Sequence, residues 1–567
     1  MSQHIKENSP DEIWINGTVL TLDSEHPQAE GLSILNGKVL QVGSSSDLLK
    51  SASSQSIVHD LAGQFLMPGL IDTHAHGIWG ALRDKFEVYV GLSSSLEDLM
   101  QAVSDRASKV PANQWISGGP WHMSWIDDFQ KAPKEVLDLA APHHFVALKD
   151  VTYHTAWLNT AALKACGIDR NTSDPEGGRI GRDPLSGEPN GILYEKAQNL
   201  VRRFIVPSQV QLEHAVKHMS GYFHSFGLTG FKEAMASEAE LEAYYYADKN
   251  GTLNLHVAVH MALNSLTSEG MTPTDKLLEW REQFASEHVH TAYVKLFLDG
   301  VAPSLTASFL EPYLPMPGCT PSAHNPDALL AIAPSKLAEI VTELDSLGLT
   351  VKMHAVGDRA VRAGLDAVQV VRASNGNSGL RHEIGHTAFV HADDHPRFKQ
   401  LGMVADMSPR LWFPNPVTPG QVKVLGPVRT QRCHQIKSLI LAGAELTYGS
   451  DWPAAAADAN PWVGLAGMIS RRNPFGLFPG FVGEEQAISL EEALPLFTTQ
   501  AARSMGLENV TGRLKAGMSA DFIRLAKPLH GQSPEEIAKT KVLETYFEGR
   551  CVYVSSPLLA SKFPHDR

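Results

Sequence analysis

Through the middle of the chain, short apolar runs that end in polar residues alternate with longer stretches of helical period. The runs are Phe65–Asp72, Phe145–Lys149, Leu228–Lys232, Leu255–His260, Ala292–Phe297, Thr350–His354, Met403–Met407 and Leu446–Ser450. After the run at Thr350, the segment GDRAVRAGLDAVQVV places Val361, Leu365 and Val368 on one helical face. Strand–helix alternation over about 400 residues predicts a parallel sheet covered by helices, and eight strands predict a closed barrel. Residues from about 80 to 225 exceed what two strand–helix units need; they are expected as insertions over the barrel mouth, with Pro175 to Asn190 a Gly/Pro-rich loop among them.

The two ends read differently. Ile13–Leu22 and Ile34–Val42 each carry an Asn-Gly turn signal between short apolar strands. Ala520–Leu525 and Leu543–Val554 alternate apolar and polar positions, the latter around a turn at Glu548-Gly549. The expected architecture is therefore α/β. A (β/α)8 TIM-type barrel over 67–512 is joined by a small β-sandwich built from 1–66 and 513–567.

Composition narrows the function classes. The 567 residues are 43% hydrophobic and 19% charged, an ordinary globular balance. A net charge of −14 disfavours nucleic acid and anionic membranes as partners. No apolar run approaches the roughly 20 residues of a spanning helix, and the N-terminus lacks a basic and apolar leader, so a soluble cytoplasmic protein is expected. Four cysteines without a CxxC pair argue against a thiolate metal site, whereas 25 histidines leave imidazole as the soft ligand.

His74 and His76, in MPGLIDTHAHGIWG, lie two apart beyond an apolar run, so both imidazoles can face one centre at the end of a strand. His354 in TVKMHAVGD, His386 in RHEIGHT and Asp451 in LTYGSDWP occupy similar places. Neutral imidazoles with a carboxylate suit Zn, Fe(II), Mn or Ni. Lys295 sits inside the apolar AYVKLFLDG, where a buried ammonium is costly unless paired or modified; a Schiff-base nucleophile and a modified metal bridge are both open, with Asp299 in support. Trp79, Trp121, His122, Trp125, Trp157, Trp412, Phe413 and Trp452 lie near these segments and together would line an aromatic pocket. Gly357 and Gly449 are expected at tight turns.

The order HxH, Lys, His, His, Asp resembles the amidohydrolase superfamily. The words MPGLIDTHAH, HTAWLNTAAL, VKLFLDG, HAVGDRA, RHEIGH, GSDWP, GRLKAGMSADFIRL and ETYFEGRCVY resemble its YtcJ-like, N-substituted formamide deformylase-like branch, over about residues 12–555. The resemblance implies that His74 and His76 hold one divalent metal, Zn first among the options. It implies that His354 and His386 hold a second, that a carboxylated Lys295 bridges them, and that Asp451 contacts metal and water and shuttles the proton. His154, in YHTAWLN, becomes the candidate oxyanion donor, and Glu195, in GILYEKA, a substrate- or ligand-orienting carboxylate. Trp79, Trp121, His122, Trp412 and Trp452 become candidate contacts for a small, apolar or aromatic substrate, in a homodimer.

The implied reaction is metal-assisted hydrolysis of a C–N bond in an amide, N-substituted formamide or related carbonyl compound. The alternatives are a deaminase, a lactone or cyclic-amide hydrolase, a decarboxylase on the same barrel, and a metal-free scaffold. Lys295 argues against the deaminase, and the full ligand set argues against the scaffold. Three places depart from the family's pattern. Gly385 stands where Glu is more usual, with Glu383 nearby; Thr152-Tyr153 replace Asp-Gly; and GFKEAM replaces the usual small-Val-x-Asp strand end.

Overall fold

A computed structural model describes residues 9–91, 94–129, 132–150, 155–264, 270–315, 324–454 and 456–555. The chain divides into two compact units, one made of the residues up to Gly77 and from Lys217 onward, the other of Ile78–Val216.

The larger unit holds an eight-stranded parallel sheet. Its strands are β1 (Leu70–Ala75), β2 (Leu228–Ala236), β3 (His256–Ala262), β4 (Val289–Phe297), β5 (Thr350–Ala355), β6 (Glu383–His386), β7 (Val404–Met407) and β8 (Glu445–Tyr448), paired in that order. Every residue of β1, β5, β6 and β7 is buried, as a sheet covered on both faces requires. The helix Asp358–Ser374 buries Val361, Leu365 and Val368, the face its period predicts. Pro334 opens the helix Pro334–Ser346, where a missing N–H costs nothing, and Leu337, Ile340, Val341 and Leu344 form its buried stripe.

The sheet is nearly closed as a TIM-type barrel, and the seam between β8 and β1 is stitched outside the regular ladder. Thr73 Oγ1 donates to Tyr448 O at 2.9 Å, and Ser450 N donates to Asp72 Oδ1 at 3.1 Å. Asp451 N donates to His74 O at 2.6 Å, and His76 N donates to Trp452 O at 2.7 Å. The join therefore lies where the candidate ligands converge.

Two predicted strands differ. Phe145–Asp150 belongs to the sheet of the other unit, and the sixth barrel strand is Glu383–His386. Phe65–Asp72 is two strands divided at Gly69, where a Cβ would meet Thr229 Oγ1 at 2.2 Å. Phe65–Pro68 joins a terminal sheet and only Leu70–Ala75 enters the barrel.

Both chain ends build two further sheets of the larger unit. One pairs Lys38–Gly43, Gly31–Leu35, Glu12–Ile15 and Ile57–Asp60; the other pairs Arg550–Val554, Val542–Phe547, Phe522–Leu525, Phe65–Pro68, Thr18–Leu20 and Gln28–Ala29. Trp14, Leu32, Ile34, Leu66, Phe522 and Tyr546 pack in their shared core. Asn36-Gly37 makes the expected hairpin turn with both residues at positive φ, whereas Asn16-Gly17 carries the chain from one sheet to the other.

The smaller unit has its own six-stranded sheet, ordered Gly178–Arg182, Pro189–Glu195, Thr155–Leu158, Phe145–Asp150, Trp115–Trp121, Val88–Tyr89. Among the described residues no helix is long and apolar enough to cross a membrane.

Candidate active site

The C-terminal ends of the barrel strands bring His74, His76, Lys295, His354, His386 and Asp451 into one buried cluster. His74 is the hinge of the arrangement. Its Nδ1 lies 2.6 Å from Asp406 Oδ2, and its Nε2 lies 3.3 Å from Lys295 Nζ and 3.7 Å from Asp451 Oδ1. The carboxylate fixes the proton on Nδ1 and leaves the Nε2 lone pair facing the centre. His76 Nε2 lies 3.4 Å from the same Asp451 oxygen, and its Nδ1 lies 3.7 Å from Glu233 Oε1. Glu233 is itself anchored by Gly77 N at 2.9 Å and the Tyr244 hydroxyl at 2.6 Å. The donor atoms of His74, His76 and Asp451 lie within 4.8 Å of one another and could hold a metal ion.

His386 Nδ1 stands 4.0 Å from Asp451 Oδ2, and its ring centroid is 4.6 Å from that of His74 and 4.3 Å from that of His354. His354 Nε2 is 3.2 Å from Gly300 O and 3.8 Å from Asp299 Oδ1. Asp299 in turn accepts from the backbone N–H groups of Val356, Gly357 and Ser308, which fixes the turn after β5. His386 and Asp451 adopt left-handed backbone, at φ 71° and 56°, an arrangement that costs on the order of 1–3 kcal/mol each and persists where the surroundings enforce it.

Burial holds the imidazoles of His74 and His386 well below their usual range and that of His354 down to about 3, the Lys295 charge adding to the effect. All three are neutral, the form that ligates metals. Burial, reinforced by the Lys352 ammonium, brings the Lys295 amine down to about 7 against the pull of Asp451 and Asp406.

Beneath the cluster lies a charged floor the sequence reading missed. Lys352 Nζ sits 2.9 Å from Asp406 Oδ2 and 3.1 Å from Glu383 Oε2, and donates to Thr73 O at 2.5 Å. Lys232 pairs with the other oxygen of Glu383 and donates to Ser504 O at 2.8 Å. All four side chains are fully buried. Burial raises Asp406 to about 6, while Lys352 draws it back. Burial opposes the charge on Lys352, but Asp406 and Glu383 outweigh it and hold the ammonium protonated. Lys232 and Lys352 show the same local sign that marked Lys295, a lysine inside an apolar run.

The close packing also explains the glycines. Gly357 stands in the turn after β5, but neither it nor Gly449 has positive φ, so left-handed backbone is not what requires glycine there. A Cβ on Gly449 would stand 2.3 Å from His74 Cβ, and one on Gly357 would stand 1.9 Å from Ser308 O. At Gly385 a Cβ would come within 3.3 Å of Lys352 Cγ and 3.4 Å of His74 Cε1, so Lys352 and His74 crowd the space beside that position.

The predicted substrate contacts are distributed through both units. Trp452 is fully buried against Tyr222 and Phe223, with ring centroids 5.1 and 5.8 Å away. Trp412 is fully buried and donates through Nε1 to Gly464 O at 3.0 Å. In the smaller unit, Trp121 is buried and donates to Leu148 O at 3.2 Å, and its ring lies 5.4 Å from that of Trp157. His122 lies against Trp125, Trp79 is half-buried in the helix Gly77–Phe86, and Glu195 ends its strand exposed, at φ 51°. His154 lies outside the described residues.

The model of the Amidohydrolase family matches residues 58–553. Protein LONG AFTER FAR-RED 3 of Arabidopsis thaliana is 30% identical over 561 residues, covering 96% of this chain and 91% of that protein. N-substituted formamide deformylase of Arthrobacter pascens is 26% identical over 560 residues, covering 95% of this chain and 97% of that protein. An uncharacterized metal-dependent hydrolase from Pyrococcus horikoshii OT3, known as a crystal structure, matches with a TM-score of 0.73 at 23% identity over 96% of this chain and 100% of that one, a likeness of fold.

Proposed function

The chain belongs to the amidohydrolase family and is a hydrolase, and on that premise we propose that it cleaves the C–N bond of a small amide, with N-substituted formamides as the leading class. The observation that carries the reading is the setting of His74, its Nδ1 committed to Asp406 at 2.6 Å and its Nε2 turned toward Asp451 and Lys295. A neutral imidazole so fixed fits a divalent metal. His74, His76 and Asp451 would hold it, with Lys295, His354 and His386 around a second position; Zn suits two imidazoles and a carboxylate. Such an ion supplies a water acidified to a pKa of about 7 and a Lewis acid for the carbonyl.

The protein's own groups then have distinct tasks. Asp451 accepts the proton of the attacking water and delivers it to the departing amine nitrogen, so the C–N bond breaks without releasing an amide anion. Asp406 keeps His74 in one tautomer, and Lys352 keeps Asp406 anionic. Lys295, with its amine held near neutrality, adds CO2, loses a proton and becomes an anionic carbamate, which turns a buried cation into a ligand. His154 is the proposed donor to the developing oxyanion.

Elemental analysis and a panel of N-substituted formamides, acylated amines and lactams test this reading. Stoichiometric transition metal and chelator-sensitive release of an amine are expected. Substoichiometric metal with turnover indifferent to chelator overturns the metal, and turnover confined to lactones overturns the C–N assignment.

A further inference from the structure

We infer that the barrel end opposite the catalytic ligands carries a second, independent site for a divalent transition cation, made by Glu287, His288 and Glu548. Their donor atoms lie within 4.8 Å of one another. Glu287 and His288 immediately precede β4, whose seventh residue is Lys295; at about 3.3 Å per residue the two places are roughly 20 Å apart along one strand. The inference therefore stands apart from the hydrolase reading.

The setting of His288 repeats that of His74. Its Nδ1 lies 2.7 Å from Asp248 Oδ1, and its Nε2 lies 3.2 Å from Glu548 Oε1. The other Asp248 oxygen accepts from Ser286 Oγ at 2.6 Å and from His288 N at 3.1 Å, so the carboxylate is clamped before any ion arrives. A histidine whose outer nitrogen is committed to a fixed carboxylate presents its other nitrogen as a preoriented ligand. Glu287 is exposed and gives the ion a way in.

A second observation points to a ligand. Glu287, His288 and Glu548 line a cavity of about 600 Å³, together with His256 and His290. His256 is engaged by Asp521 at 2.9 Å. His290, two residues from His288 and so on the same side of the strand, has a buried Nε2 with no hydrogen-bond partner among the described residues. That unpaired nitrogen makes the wall of this cavity polar and open to a ligand, while the donor atoms that converge are those of Glu287, His288 and Glu548. Imidazole and carboxylate without thiolate select Zn, Mn or Ni over softer ions.

An ion at Nε2 takes the place of the proton that this nitrogen shares with Glu548 Oε1, and that proton leaves to solvent. Glu548 lies in the turn between Val542–Phe547 and Arg550–Val554, so the bound ion would tie the C-terminal hairpin to the start of β4. Its role is that of a clamp on stability.

The test uses the full chain equilibrated with Zn²⁺ alone and desalted. Wild type is expected to retain one more equivalent than the Glu287→Gln/Glu548→Gln variant, with equal turnover in both. Excess Zn²⁺ is expected to raise the melting temperature of wild type only. Asp248→Asn should weaken that equivalent by roughly 10–100-fold. A His74→Ala/Asp451→Ala protein should still take up the extra ion, which separates failure here from failure of the catalytic reading. Where the double variant does not fold, Glu287→Gln alone, altered only at an exposed side chain, is expected to lose the same equivalent. Equal metal content in wild type and the carboxamide variants, or loss of the extra ion with His74→Ala/Asp451→Ala, overturns the inference.

Discussion

Asp406 Oδ2 lies 2.6 Å from His74 Nδ1, and both side chains are sealed from solvent. One carboxylate thus fixes the direction in which the first candidate ligand offers its lone pair. Asp406→Asn keeps the shape and removes the charge, so the His74 tautomer is no longer enforced. Metal retention against a graded chelator should weaken by roughly 10–100-fold, with little change in the circular dichroism of the fold. Unchanged retention would show that His74 needs no such partner.

Glu383 is the shared counterion of Lys232 and Lys352. Glu383→Gln leaves two buried ammonium groups short of charge. Breaking a buried pair from one side costs about 3–5 kcal/mol, so the urea midpoint should fall sharply. A midpoint within error of wild type would contradict the pairing.

Gly449→Ala drives a methyl group into the space of His74 Cβ, 2.3 Å away. The backbone on both sides of the seam is fixed by hydrogen bonds, so His74 must move. Loss of bound metal should exceed the loss of stability, which for an overpacked site is about 1–3 kcal/mol. Metal content and thermal unfolding measured on the same sample separate the two.

His224 gives the larger unit an acid sensitivity of its own. Burial holds its imidazole down to about 4 against the ordinary 6.5, and Nε2 meets Asn254 O at 2.8 Å. The folded protein keeps the ring neutral where the unfolded chain takes up a proton. Its contribution is complete above about 6.5 and is lost as pH falls through about 4, with a limiting slope of about 1.4 kcal/mol per pH unit. Denaturant unfolding across that window should show wild type losing ground to His224→Gln as the pH drops. Parallel curves would contradict it.

Asp451→Asn removes the proposed proton carrier while leaving an oxygen ligand. Turnover should fall by about 10²–10⁴-fold. A solvent isotope effect that survives unchanged in the variant would place proton transfer on another group.

The candidate ligands were legible because strand ends carry polar residues that no core needs, and six of them in a fixed order are hard to assign to packing. Lys232 and Lys352 were as visible as Lys295, each a lysine in an apolar run, yet their partners Glu383 and Asp406 come from other strands and no local pattern connects them. The same pairing hid β6. Its four residues include Glu383 and His386, so the stretch lacks the apolar character of a buried strand, and its burial is possible because Lys232 and Lys352 neutralise Glu383. The run Phe145–Lys149 reads as a barrel strand because the strand it forms, Phe145–Asp150, pairs in parallel with Trp115–Trp121, and parallel strands have one local signature wherever they reside. Gly449 was recognised as constrained, but the constraint is a neighbour across the seam.

The terminal sheets place Leu66 opposite Arg524, a register between residues separated by most of the chain. During synthesis at about 5–20 residues per second, Phe65–Pro68 waits roughly 20–90 s for its partner to leave the ribosome. Over that interval a four-residue apolar strand has one open edge. The barrel can assemble around its own local strand–helix units first, whereas the sheet uniting the two ends must close last. A stalled or prematurely released chain would thus expose that edge rather than the ligand cluster, and aggregation of incomplete chains should begin there.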